Sequence, residues 1–235
     1  MSNLSPEIFF DIDDTLLNNY KAFEQAMMEV FPKLLDTVNI KELYLKFRET
    51  SERCFQALSG RKLPEGCMNR LRLKSCFLGV STLSNEECQK FVASYKKYQT
   101  RLQLEEEVQS FLIACQQSGV KLGIISNGRI ETQREKIKQL GLEAYISSER
   151  VVISEEVGRM KPDERIFEYV EERFELVPEN TIYIGDSLKN DMRPTHARFW
   201  QSYWFNPFKQ VSGEQPFKKE ITSFDELSNE LFHGD

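Results

Sequence analysis

Four short apolar runs, at residues 8–12, 120–126, 151–154 and 181–185, constrain the fold more than any other feature of the chain. Each is rich in β-branched or aromatic residues, and none alternates apolar with polar. A strand with one face in water alternates, whereas a strand covered on both faces does not. Such runs, separated by amphipathic helical stretches, predict an α/β fold built on a doubly wound, mostly parallel sheet. Residues 200–205, just before Asn206-Pro207, are a fifth candidate strand. Val108, Phe111, Leu112 and Cys115 recur at helical spacing and stop at Gly119. Ile166, Phe167, Val170 and Phe174 do the same, with Pro162 expected in the first helical turn.

Residues 19–101 break this alternation. They offer no convincing strand, only helical patterns at 20–31, 40–58, 68–78 and 84–98. Ser84 with Glu87 makes a capping box at the start of the last. Gly60, Pro64 and Gly66 mark residues 59–66 as a loop. The expected organisation is a catalytic core of residues 1–18 and 102–235, with residues 19–101 inserted as an all-helical domain. A helix over 224–231 is expected to close the chain.

The net charge of −6 argues against a nucleic-acid polymer as partner, because phosphate backbones attract basic surfaces. The cysteines, at 54, 67, 76, 88 and 115, are odd in number and form no CxxC, so neither a zinc knuckle nor a disulfide framework is indicated. Most of them read as small buried hydrophobes of a reduced cytosolic protein. No apolar stretch approaches the roughly 20 residues that span a bilayer, so no membrane partner is expected. No basic segment precedes an apolar run at the start, so the expected location is cytoplasmic.

The polar residues gather where such a sheet would present them. Ligands of open α/β sheets bind beyond the carboxyl ends of the strands. There the first run ends in Asp11-Ile12-Asp13-Asp14 and the second in Ser126-Asn127-Gly128. The fourth ends in Gly185-Asp186 with Asp191 five residues on, and the third leads to Lys161-Pro162. Each group alone has an ordinary explanation as a helix cap, a turn or a surface lysine. Together, Asp11, Asp13, Asp186 and Asp191 make an oxygen-rich negative pocket. Like charges repel there by about 1 kcal/mol per pair in water and by several times that when partly buried, so a cation is implied. Oxygen donors without a His or Cys cluster favour Mg²⁺ over zinc. An EF-hand fails at Leu16 and Ala22, where glycine and glutamate are required.

With Mg²⁺ bound, phosphoryl transfer makes chemical sense. Asp11, ionised near the ordinary aspartate pKa of about 3.9, is the candidate nucleophile. Asp13, protonated at neutral pH, is the candidate general acid–base. Ser126, with backbone N–H groups near Asn127 and Gly128, would hold phosphate oxygens. Lys161 supplies the opposite charge, and Asp191 would orient Lys161 or a metal-bound water. His196 is a weaker candidate, read more simply as a helix-surface or core histidine, and Arg159 either touches a substrate phosphate or is solvated.

FFDIDDTL, IISNG, MKPDERIF and IGDSLKND, in this order, resemble the four signature motifs of the haloacid dehalogenase-like (HAD) hydrolases. The resemblance implies a Rossmann-like core with a helical cap, which sets substrate choice. It makes Asp11 the nucleophile, and Asp13 the acid–base residue whose backbone carbonyl also meets Mg²⁺. Ser126 becomes the phosphate-binding residue, Lys161 the lysine, and Asp186 the second metal carboxylate. Metal-free dehalogenases of the superfamily usually lack an acid two residues after the nucleophile, so Asp13 argues for a phosphatase. The stretch VVISEEVGRMKPDERIFEY resembles a bacterial subgroup that contains a pyrimidine 5′-nucleotidase. The expected partner is a small phosphorylated metabolite such as a nucleoside 5′-monophosphate, acted on by a monomer or dimer. A sugar-phosphate phosphatase, a phosphotransferase and a non-catalytic phosphate-binding protein stay open as alternatives. One departure is MRPTHARFW after Asp191, where Pro194, Arg198, Phe199 and Trp200 replace the small residues expected in the local helix.

Overall fold

The computed structural model describes residues 6–35, 37–57, 67–78 and 82–233. In chain order its main elements are β1 (Glu7–Phe10), α1 (Asn19–Val30), α2 (Ile40–Ala57), α3 (Cys67–Cys76), α4 (Asn85–Gln99), α5 (Glu106–Gln117), β2 (Lys121–Ser126) and α6 (Ile130–Gln139). There follow β3 (Val151–Ile153), α7 (Ser154–Val157), α8 (Arg165–Phe174), β4 (Thr181–Gly185), α9 (Arg193–Ala197), β5 (Gln201–Phe205), β6 (Lys219–Ile221) and α10 (Phe224–Phe232). They fall into two compact units, Met1–Asn18 with Gln103–Asp235, and Asn19–Leu102.

In the first unit the strands form one sheet in the order β3-β2-β1-β4-β5-β6, every neighbouring pair parallel. β1 is central and fully paired on both sides, which is why its run reads as continuously apolar. The order reverses between β1 and β4, the place where open parallel sheets bind ligands. Phe9, Ile125, Val152, Ile166, Phe167, Val170, Tyr183, Met192, Trp200 and Trp204 pack as one apolar cluster. A β-carbon on Gly123 would stand 2.3 Å from the Phe9 ring, so β2 lies against β1 only because that residue has no side chain.

Several boundaries move. Ser154, expected at a strand end, opens α7 instead. Pro162 lies in the turn ahead of α8, which begins at Arg165. α6 was not anticipated, because only Gln133 and Ile137 of it are buried and its apolar stripe is thin. β6 was also missed, since three residues carry no readable period. After Asp191 the chain keeps a helical path through one π-turn and then α9. The bulky residues there divide their tasks. Phe199 takes a positive φ of 63° and is 73% exposed, while Trp200 turns into the core. Glu171 secures the segment, accepting from Arg198 Nε at 2.8 Å and from the Trp200 indole at 2.7 Å. Tyr203 and Trp204 are likewise buried strand residues.

The second unit is all helical among the described residues. Its core is aromatic: Phe23, Tyr44, Phe47, Phe91 and Tyr95 are buried, and Phe91 stacks on Tyr95 at 5.7 Å between centroids. The Ser84–Glu87 capping box starts α4 as expected. The expected loop at 59–66 lies outside the described residues. No cysteine is bonded to another, and Cys76, Cys88 and Cys115 are buried. Among the described residues no helix is long and apolar enough to cross a membrane.

Candidate active site

Asp11 follows β1 directly, and its N–H donates to Ile184 O of β4 at 3.0 Å. That bond sets the carboxylate at the reversal point of the sheet. Asp186 follows β4 and is steadied through its backbone oxygen, which accepts from the Trp204 indole at 2.9 Å. Carboxylate oxygens of Asp11, Asp186 and Asp191 all lie within 4.8 Å of one another. Asp191 reaches in from the π-turn because Gly185 leaves space: a β-carbon there would be 2.6 Å from the Asp191 carboxyl.

Lys161 stands among them, 2% exposed. Its Nζ donates to Asp11 Oδ1 at 2.8 Å, to Asp191 Oδ1 at 2.6 Å and to Tyr183 Oη at 2.9 Å. An ammonium has three donors, so all three are engaged. Burial works against its charge, but Asp11 and Asp191 outweigh burial and hold its pKa well above the ordinary value. Asp11 is raised to about 6: burial lifts it more than Lys161 lowers it, and Asp191 and Asp13 add to the rise. One ammonium shared by two buried carboxylates explains why the lysine is stabilised as a cation while its partner acid is not. The expectation of an ordinary pKa for Asp11 is therefore corrected by its burial.

The turn after β2 serves the lysine. The Asn127 carboxamide pairs both ways with the Lys161 backbone, Nδ2 to O and N to Oδ1, each at 2.8 Å. The Gly128 N–H donates to Ser154 Oγ at 3.0 Å. Ser126 Oγ is buried and accepts from Gln133 Nε2 at 2.6 Å, which leaves its own proton to donate. Asp13, expected to be protonated, is ion-paired with Lys136, which favours its ionised form. Its carboxylate meets Lys136 Nζ at 2.7 and 2.6 Å and Gln133 Nε2 at 3.2 Å. His196 and Arg159 are exposed.

Tyr183, Gln133 and Lys136 are neighbours that the sequence reading did not contain. Tyr183 left one clue, a phenol within an otherwise apolar buried strand, since a buried hydroxyl needs a partner. Here it also lies 3.1 Å from both Asp191 Oδ1 and Ile125 O.

The donor set fits a divalent cation on chemistry and charge. It is oxygen only, and three carboxylates facing one ammonium leave two negative charges over. Both oxygens of Asp191 are already engaged. Its Oδ1 takes Lys161 and Tyr183, and its Oδ2 accepts the Ser187 N–H at 3.1 Å.

A family model described as haloacid dehalogenase-like hydrolase matches residues 8–198. A glyceraldehyde 3-phosphate phosphatase of Methanocaldococcus jannaschii is 27% identical over 196 residues, covering 80% of this chain and 78% of that protein. An N-acylneuraminate-9-phosphatase of Rattus norvegicus is 28% identical over 215 residues, covering 85% and 82%. In three dimensions the HAD-hydrolase YfnB of Bacillus subtilis, solved bound to magnesium, aligns with a TM-score of 0.69 over 97% of this chain and 99% of that one, at 22% identity.

Proposed function

The chain belongs to the haloacid dehalogenase-like hydrolases, and from that premise we propose that it is a Mg²⁺-dependent phosphomonoesterase working through a phospho-aspartate. The observation that carries the reading is Lys161, buried and hydrogen-bonded to both Asp11 and Asp191 at the tip of the central strand. That arrangement suits a carboxylate nucleophile that must approach a phosphate dianion.

In this reading an Asp11 oxygen attacks phosphorus while the ester P–O bond breaks, and Asp13 passes a proton to the departing alcohol oxygen. Water then attacks the aspartyl phosphate and gives its proton to Asp13. The products are inorganic phosphate and the original Asp11. Ser126 donates to a phosphate oxygen, and Lys161 offsets the charge of Asp11 throughout. Asp11 and Asp186, with the backbone carbonyl of Asp13, would hold Mg²⁺, which supplies screening between carboxylate and phosphate. Asp191, whose oxygens already serve Lys161, Tyr183 and Ser187, positions the lysine.

The substrate is a small phosphorylated metabolite. A nucleoside 5′-monophosphate is the first to try, on the likeness of residues 151–169 to a pyrimidine nucleotidase subgroup. Sugar phosphates stand beside it, because the rat relative is named for a 9-phosphorylated N-acylneuraminate. The test is phosphate release from p-nitrophenyl phosphate and from a panel of nucleotides and sugar phosphates with Mg²⁺. Activity should vanish with EDTA and fall on the order of 10⁴-fold in Asp11→Asn. Hydrolysis that survives Asp11→Asn excludes Asp11 as nucleophile.

A further inference from the structure

Tyr183 sits on β4 between Ile182 and Ile184 and is wholly buried, hydroxyl included. A buried phenol must find hydrogen-bond partners inside the protein. Lys161 Nζ donates to its Oη at 2.9 Å, and the single phenol proton faces two acceptors at 3.1 Å, Ile125 O and Asp191 Oδ1. The sheet runs β2-β1-β4 here, so the side chain spans the central strand to reach β2. Its ring meets Phe167 edge-on at 5.6 Å between centroids and lies tilted against Trp200 at 6.2 Å. A ring packed between two aromatics and tied at its tip leaves its oxygen one position.

We propose that Tyr183 is a positioning residue for the phosphatase reaction, fixing the Lys161 ammonium against Asp11. The inference rests on the phosphatase reading above. A lysine stem is flexible and ends in a point charge with three rotatable donors. Asp11 and Asp191 alone define an axis about which Nζ can pivot, and a third acceptor fixes the point. The phenol oxygen supplies that acceptor without adding a negative charge beside three carboxylates. Asn127 grips the lysine backbone, so Lys161 is held at both ends. Tyr183 acts through Lys161 and not on the reacting atoms. A tyrosine that merely tied β4 to β2 would serve stability alone.

Tyr183→Phe deletes one oxygen and keeps the ring. With Mg²⁺ and p-nitrophenyl phosphate, kcat should fall on the order of 10- to 100-fold with KM nearly unchanged, the size expected of a slightly misplaced catalytic charge. Tyr203→Phe is the control. Tyr203 is equally buried on β5, but its Oη has no hydrogen-bond partner among the described residues, so its loss should leave kcat unchanged. A second readout follows the lysine directly. In protein labelled with ¹⁵N-lysine, the Lys161 ammonium, assigned by its loss in Lys161→Met, should exchange its protons slowly with water, and Tyr183→Phe should abolish that slow exchange. The wild-type spectrum decides even where Tyr183→Phe does not fold, because a Lys161 ammonium in fast exchange overturns the inference. An unchanged kcat, a loss carried by KM, or an unaltered Lys161 signal in Tyr183→Phe also overturns it and leaves the phosphatase intact. A wild-type protein that hydrolyses no phosphate ester overturns the phosphatase reading and this inference with it.

Discussion

Replacing Lys161 with methionine removes a charge from the centre of the molecule while nearly keeping its volume. The effect can be sized from the surroundings. The lysine side chain is 2% exposed, its partners Asp11 and Asp191 are 9% and 1% exposed, and all three ammonium donors are used. Deleting one partner of a buried ion pair leaves an uncompensated charge and costs about 3–5 kcal/mol. Here two carboxylates are left facing each other, which places the cost at the upper end. For a chain of this size each kcal/mol moves the melting temperature by about 2–4 °C, so a fall of roughly 10–20 °C is expected in EDTA for the unit that holds the sheet. The sign with pH is fixed. The lysine pKa is raised on folding, so its contribution is fully present at neutral pH and is lost only as pH climbs through that raised value. In the variant the deficit should shrink as pH falls and the carboxylates take up protons. Adding Asp191→Asn should recover part of the loss, a coupling on the order of 1–3 kcal/mol. Thermal and urea denaturation of the four proteins of the cycle measure this. A Lys161→Met protein as stable as wild type without metal, or an additive double mutant, refutes the reasoning.

Mg²⁺ binding should expel a proton near pH 6, because burial raises metal-free Asp11 to about 6 and the ion requires the carboxylate. Calorimetry in buffers of different ionisation enthalpy reads this, and no proton release at that pH contradicts the raised pKa. By the same linkage, Asp11 in the metal-free protein should add stability as pH falls from about 6 towards 3.8, since the folded state binds its proton more tightly. Gly185→Ala sets a β-carbon 2.6 Å from the Asp191 carboxyl, so it should cost about 1–3 kcal/mol and lower kcat by displacing the lysine's partner. A fully active, equally stable variant would disprove that crowding. Glu171→Ala strips Arg198 and Trp200 of their shared acceptor and should cost about 1–3 kcal/mol in urea unfolding without moving KM.

The sequence by itself determined the sheet and the strand tips. The runs at 8–12 and 181–185 read as doubly covered strands because their residues do not alternate apolar with polar, and Asp11 and Asp186 stand out as the charges at their carboxyl ends. These are local facts, written within a few residues of one another. What surrounds each acid depends on how the chain returns to it. Asp13 meets Gln133 and Lys136 across 120 and 123 residues, on a helix too polar to be noticed. Tyr183 looks like any strand residue until the loop carrying Lys161 brings an ammonium to its hydroxyl. Asn127, from a turn that reads as a phosphate cradle, is found gripping the Lys161 backbone. Burial pattern is a property of sequence order and can be read along the chain. Hydrogen-bond partners and the pKa of Asp11 follow from distances and solvent exclusion, which exist only once the strands have been laid side by side.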